Sequence, residues 1–214
     1  MDNRAQHKLM AWLSPTYPIG AFSYSHGLEY MIHCGDVTNA KSLAKWIEDI
    51  LKHGAGRNDA ILLSLAHKAQ TESRLSELAE LATALCPSAE RHLETTAQGA
   101  AFCKVTSKVY DADLAPMPLP IAIGTAARSE GIELIDVLPL YLHSFVANII
   151  SAGVRFIPIG QTEGQKVLFE LFGVIDEVSE VAMTSIEAEL GSACFLGDIA
   201  SMKHETMTTR IFRT

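Results

Sequence analysis

Gly160-Gln161-Thr162-Glu163-Gly164-Gln165-Lys166 is the stretch closest to a phosphate cradle. A P-loop has the form G-x-x-x-x-G-K-[ST]; its lysine reaches the β/γ-phosphates and its hydroxyl holds Mg²⁺. Here Gln165 separates Gly164 from Lys166, Val167 stands where the hydroxyl is needed, and no strand-like run precedes. The segment reads instead as a helix start. Thr162 as N-cap and Gln165 three residues on would form a capping box, and Gly160 lets the chain turn sharply between two helices. Gln161 and Lys166 are left free to face a partner. Metal chemistry fares no better with the eight histidines, which offer no HxH, HExxH or His-rich tail. His33 and Cys34 are adjacent and point roughly 100° apart on a helix. His26 and His33 fall on one helix face two turns apart, too far for one ion. For nucleophilic catalysis, Gly20-Ala21-Phe22-Ser23-Tyr24 is not G-x-S-x-G, and Ser25-His26 are sequence neighbours, a poor dyad. Glu187 with Glu189, and Asp176 with Glu177, read as solvated helical faces. No catalytic constellation, metal set or cofactor is expected.

The elements that would position any site are helical. Trp12 lies in a short apolar stripe with Leu9 and Leu13 before the Ser14-Pro15 break. From Leu13 to Glu29, Pro15, Pro18, Gly20 and Gly27 surround Tyr17, Phe22, Ser23, Tyr24 and Ser25. Prolines fix φ and glycines permit positive φ, so this is a stiff, shaped loop. His26-Gly27-Leu28-Glu29-Tyr30 then opens a helix. Thr38 or Asn39 caps the next, with Leu43, Trp46, Ile47, Ile50 and Leu51 at helical spacing. Gly54-Ala55-Gly56 stops it. Asn58 caps a further helix with Asp59 in its first turn. Leu75, Leu78, Ala79, Ala82 and Leu85 form another stripe. Ser88 restarts a long helix to about Tyr110, with Leu93, Ala97, Ala100 and Ala101 inward.

The proline-rich crossover Asp111 to Pro120 is the candidate boundary between helical halves. After it come a helix near Ile121 to Ser129, an apolar helix to about Phe156, and a last long helix carrying Leu168, Leu171, Phe172, Ile175, Val178 and Ala182. Asp198 could cap a short helix. The tail, His204 to Thr214, sets Ile211 and Phe212 between Arg210 and Arg213. Aromatics and arginine concentrate at interface hot spots. The tail is therefore either an interface anchor or a segment that docks on its own core. The fold class is all-α, one domain over residues 1–214 of roughly eight to ten helices.

At 214 residues the chain can bury a full core. Its net charge of −8 disfavours nucleic acid or an anionic membrane as the main partner. Cys34, Cys86, Cys103 and Cys194 have no CxxC spacing and read as free thiols in a reducing cytoplasm. The N-terminus MDNRAQHKLM lacks a signal-peptide core. Val137 to Val154 carries no Asp, Glu, Lys or Arg and could by length cross a bilayer. Pro139, His143, Ser144, Asn148 and Ser151 are costly there, so a central core helix is the simpler reading.

Three blocks in order, LSPTYPIGAFSYSHGLE, PIGQTEGQKVL and the final TTRIFRT, resemble the UreF family of urease accessory proteins. Softer likenesses are RNDA at Arg57 to Ala60, Glu94 to Gly99 followed by Phe102, PIAIG at Pro120 to Gly124, and the run from Tyr141 to Gln165. Thr209-Arg210 stands where the family often has Ser-Arg. The resemblance implies a cytoplasmic, non-enzymatic, homodimeric adaptor. It would bind UreD (UreH), recruit the GTPase UreG and so reach the urease apoprotein for nickel-site assembly. It also implies the partner-facing residues: Tyr17, Pro18, Gly20, Phe22, Ser23, His26, Gly27 and Glu29 in the first block, Gly160, Gln161, Gly164, Gln165 and Lys166 in the second, with UreG the leading candidate for both. Arg210, Phe212 and Arg213 would dock on UreD. Two other classes stand beside the adaptor. One is a regulator of GTP hydrolysis by UreG acting through a trans arginine such as Arg155, Arg210 or Arg213. The other is a direct nickel carrier.

Overall fold

The charge-free stretch becomes the central helix. In the computed structural model, which describes residues 2–213, it runs Leu134–Phe156 (α8). Val137, Leu138, Tyr141, Leu142, Val146, Ile149 and Ile150 are buried along it. Long and apolar enough to cross a membrane, it has 56% of its most apolar window buried inside the fold, which is how a core helix behaves. Met1 and Thr214, the last residue of the C-terminal block, lie outside the described residues.

Around α8 the order is Asn3–Trp12 (α1), Leu28–Cys34 (α2), Ala40–His53 (α3), Ala55–Lys68 (α4), Glu72–Ala84 (α5), Ala89–Tyr110 (α6) and Leu119–Ser129 (α7) before it. Gln161–Glu170 (α9), Phe172–Thr184 (α10) and Phe195–His204 (α11) follow it. No strand occurs among the described residues. The all-α expectation holds. The single long helix expected at 168–182 is two, because Leu171 breaks the run between α9 and α10. Taken as one bent element, that pair brings the described helices to ten.

Polar caps set several helix starts. Asn39 Oδ1 accepts from Ser42 N at 3.1 Å and the Ser42 hydroxyl returns to the Asn39 backbone, a reciprocal cap. Ser88 Oγ accepts from Arg91 N at 3.0 Å and starts α6 where the sequence placed it.

Four local expectations fail for identifiable reasons. Asn58 does not cap α4. That helix begins at Ala55 after a single-residue corner at Gly54, and buried Asn58 accepts from Gly191 N at 3.0 Å. Asp59 consequently sits beyond the first turn and inside the fold. Thr162 does not cap α9; extended Gly160 does, and no side chain completes a capping bond. At φ −84° Gly160 needs none of glycine's freedom. Asp198 lies within α11, whose N-cap is Cys194, and accepts from Ser192 Oγ at 2.8 Å. The most consequential failure is α6. Its inward face is not Leu93, Ala97, Ala100 and Ala101 but Arg91, Glu94, Thr95, Gln98, Gly99, Phe102, Cys103 and Thr106, and Leu93 is 51% exposed. A helix chosen by hydrophobicity alone comes out rotated when its buried face is polar.

Candidate functional site

That polar face builds a buried charge network. Arg91 on α6 places Nη2 2.6 Å from Asp59 Oδ2 on α4, and Tyr141 of α8 donates to the same oxygen at 2.9 Å. Arg91 Nη1 lies 3.1 Å from Glu94 Oε2. Gln98 donates to Glu94 Oε1 at 3.1 Å, and His26 Nε2 approaches that oxygen at 3.1 Å. Burial pushes the Tyr141 phenol well up, and Asp59 adds to it. Burial alone would lower the Arg91 guanidinium, but Asp59 and Glu94 overcome it and hold it up. Burial would likewise raise the Glu94 carboxyl; His26 and Arg91 reverse this and pull it from 4.5 to about 2. A carboxyl whose folded value is depressed lends stability above its unfolded value and loses it as pH falls through the folded one. Thermal stability should therefore fall as pH drops from about 4.5 to about 2. Glu94→Gln should flatten that limb in melting curves taken across the range; an unchanged slope would count against the assignment.

His26 connects this network to the first block. Its ring sits on Phe145 at 4.5 Å and its backbone is left-handed at φ +53°. Gly27 follows at φ +74°, and a Cβ there would lie 2.9 Å from Ser201 N and 3.0 Å from the Ala200 carbonyl carbon. Gly27 is thus demanded by both conformation and close approach to α11. The chain can then start α2, with Glu29 N donating to Ser25 Oγ at 3.3 Å.

Glu29 is the hinge between the first block and the tail. Ile211 N donates to its Oε1 at 2.8 Å and Phe212 N to its Oε2 at 2.9 Å. His204, fully buried, sets Nε2 3.1 Å from Glu29 Oε2 and Nδ1 2.7 Å from Glu90 Oε2. Arg210 bonds the other oxygen of Glu90. Arg213 N donates to Ser23 O at 2.8 Å. The Phe212 ring is 4% exposed, packed on Phe156 at 5.5 Å, with the Arg155 guanidinium 5.5 Å above it. Of the two readings of the tail, docking on its own core describes Phe212.

The predicted site residues therefore divide. Tyr17 is half-buried, bonding Thr106 Oγ1 at 2.8 Å and packing on Phe102. Pro18 and Phe22 are exposed, Gly20 turns at φ +76°, and Ser23 supplies the carbonyl that Arg213 uses. His26, Gly27 and Glu29 are interior supports. His26 precedes α2, so it does not share a helix face with His33. Gly160, Gln161, Gln165 and Lys166 are exposed on α9, with Lys166 paired to Glu163 at 2.6 Å, while Gly164 is buried. The first block and the tail come together; the α9 block contributes to neither cluster just described. Sequence reasoning missed Asp59, Glu90, Arg91, Tyr141 and His204. The available signal was Arg91, Glu94 and Gln98 at intervals of three and four, a polar stripe with helical period. Among the described residues no group of three His, Cys, Asp or Glu is placed to hold a metal ion.

An all-α protein whose interior charges knit a shaped loop to its own C-terminal segment is the class that fold and site define. The family model for UreF matches residues 37–172. The chain belongs to the UreF family. It is 51% identical over 213 residues to the urease accessory protein UreF of Cereibacter sphaeroides, covering 99% of this chain and all of that one. It is 46% identical to the protein of that name from Roseobacter denitrificans, over the whole of this chain and 96% of the other. The Ruegeria pomeroyi counterpart is 44% identical over 96% of this chain and 95% of its own.

Proposed function

We propose that this protein is a non-enzymatic adaptor in urease maturation, homodimeric, that binds UreD and recruits the GTPase UreG to the urease apoprotein for nickel-site assembly. Family membership supports the role in urease maturation. One observation carries the adaptor reading. α11 turns its apolar stripe outward: Phe195, Leu196, Ile199 and Met202 are 70, 57, 49 and 48% exposed, while its inward face is Ala200, Ser201 and His204. Exposed apolar patches of this kind mark interaction surfaces. This one runs directly into the tail that the resemblance assigns to UreD. The exposed, mutually packed pair Phe169 and Phe172, 5.6 Å between rings, supports self-association. The arginine-finger alternative rests on exposed Arg213, since Arg210 is engaged by Glu90 and Arg155 covers Phe212.

Light scattering on gel-filtration eluates tests the proposal. The intact chain should run as a dimer, co-elute with UreD, and then gather UreG in the presence of GTP. Ile199→Asp should abolish co-elution with UreD while shifting stability by no more than about 0.5 kcal/mol, since the site is exposed. Failure of the intact chain to bind folded UreD would overturn the reading. Binding untouched by Ile199→Asp would remove α11 from it.

A further inference from the structure

Three small cavities surround one buried side chain. The largest, about 50 Å³, lies beneath the first block, whose Ser14, Ile19 and Ala21 line it. A second, about 20 Å³, lies against α11 beside Asp198. A third, about 30 Å³, is lined by Asn58, Thr95 and Asp198. Arg91 borders all three. One enclosed water needs roughly 10–15 Å³ on this measure, so each cavity has room for at least one.

The walls carry more hydrogen-bonding groups than the protein pairs. A guanidinium has five N–H donors. Arg91 gives one to Asp59 Oδ2 at 2.6 Å and sets Nη1 3.1 Å from Glu94 Oε2. The other three meet no acceptor among the described residues, although Arg91 is 7% exposed. Asn58 accepts from Gly191 N through Oδ1, but its Nδ2 has no acceptor among the described residues. The hydroxyl of Thr95, a residue 3% exposed, has no partner among them either. Buried polar groups are ordinarily paired, with protein or with ordered water.

We infer that the protein binds a cluster of ordered waters around the Arg91 guanidinium. Beneath the first block they accept from Arg91; in the third cavity they link Arg91, Asn58 and Thr95 to Asp198. Water suits both tasks, because it accepts from the guanidinium and amide and donates to a carboxylate. Ions do not, since Asp59 and Glu94 repel an anion and Arg91 repels a cation. The cluster braces the first block and α11 from within, whichever partner either one meets.

A crystal structure of the full chain, at a resolution that shows ordered water, tests the inference. Density is expected in all three cavities, with waters within hydrogen-bond distance of the free Arg91 N–H groups. Thr95→Val keeps the shape of the side chain and removes its hydroxyl. It should empty the position beside Thr95 and leave the waters beneath the first block in place. Dry cavities, or free Arg91 N–H groups found on protein acceptors instead, would overturn the cluster. A third cavity unchanged by Thr95→Val would overturn the link through Thr95.

Discussion

Replacing Arg91 with methionine should destabilise the protein by about 3–5 kcal/mol, because it leaves buried carboxylates without their cation. At this chain length that is a fall in Tm of roughly 6–20 °C. Asp59 and Arg91 are 6 and 7% exposed and Glu94 4%, so water can do little to replace the guanidinium. Tyr141 still bonds Asp59 without carrying charge, while Glu94 keeps Gln98 and His26 beside it, so the loss falls mainly on Asp59. Methionine matches much of the arginine stem's volume, so packing is a minor part of the loss. Neutralising the partners as well, with Asp59→Asn and Glu94→Gln on top of Arg91→Met, should recover most of the lost stability. The penalty comes from uncompensated charge and not from missing attraction. Arg91→Lys should fall between, since one ammonium cannot bridge both carboxylates as the guanidinium fork does. Urea and thermal melts decide it. A loss of under about 1 kcal/mol for Arg91→Met, the value of an exposed pair, would mean that the network is open to solvent.

This network also marks the boundary of what was legible in the chain. The all-α class followed from helical spacing, and α3 buries all five residues its apolar period selects, while α5 buries Leu78 and Ala82 and leaves Leu75, Ala79 and Leu85 half-buried. Asn39 and Ser88 were readable as caps because a short polar side chain stood before a periodic run. Asn58 had the same appearance and failed, since a cap is distinguished from a buried amide only by where Gly191 arrives, 133 positions away. The same holds for α6. Leu93 and the alanines satisfy an apolar pattern, yet the inward position goes to Arg91 and Glu94 because Asp59, Tyr141 and His26 come from three other parts of the chain to neutralise them. Long-range pairing of that kind leaves no local trace. The site was legible as blocks rather than as roles. The first block and the tail were picked out as important, but the roles of Glu29, His26 and Phe212 inside the fold rest on contacts that spacing does not encode. Glu29 meets Phe212 across 183 positions.

Gly99→Ala should cost about 3 kcal/mol, the upper end of what an added methyl does in a packed interior. In the middle of a helix such a change would ordinarily help, alanine exceeding glycine by about 0.8–1 kcal/mol. The sign reverses because the proline-rich crossover runs against α6 at this point. A Cβ on Gly99 would fall 2.0 Å from Met117 O, 2.6 Å from Leu119 N and 2.7 Å from the Pro118 carbonyl carbon. All three are backbone atoms, so no side-chain rotation relieves the contact, and the chain they belong to is stiffened by Pro116, Pro118 and Pro120. The crossover would have to lift, carrying the start of α7, whose Ala122, Ile123, Ala126 and Ala127 are core residues. The segment that looked like a boundary between halves is thus a close seam between them. Gly173 supplies the control within the same protein. It is helical and exposed, and a Cβ there meets nothing within 4 Å. Gly173→Ala should therefore raise stability by about 0.4–1 kcal/mol. Urea melts of the two variants should move in opposite directions with unchanged m-values. Equal shifts of the same sign would mean that the crossover yields, and that the two halves are less tightly joined than the contact at Gly99 requires.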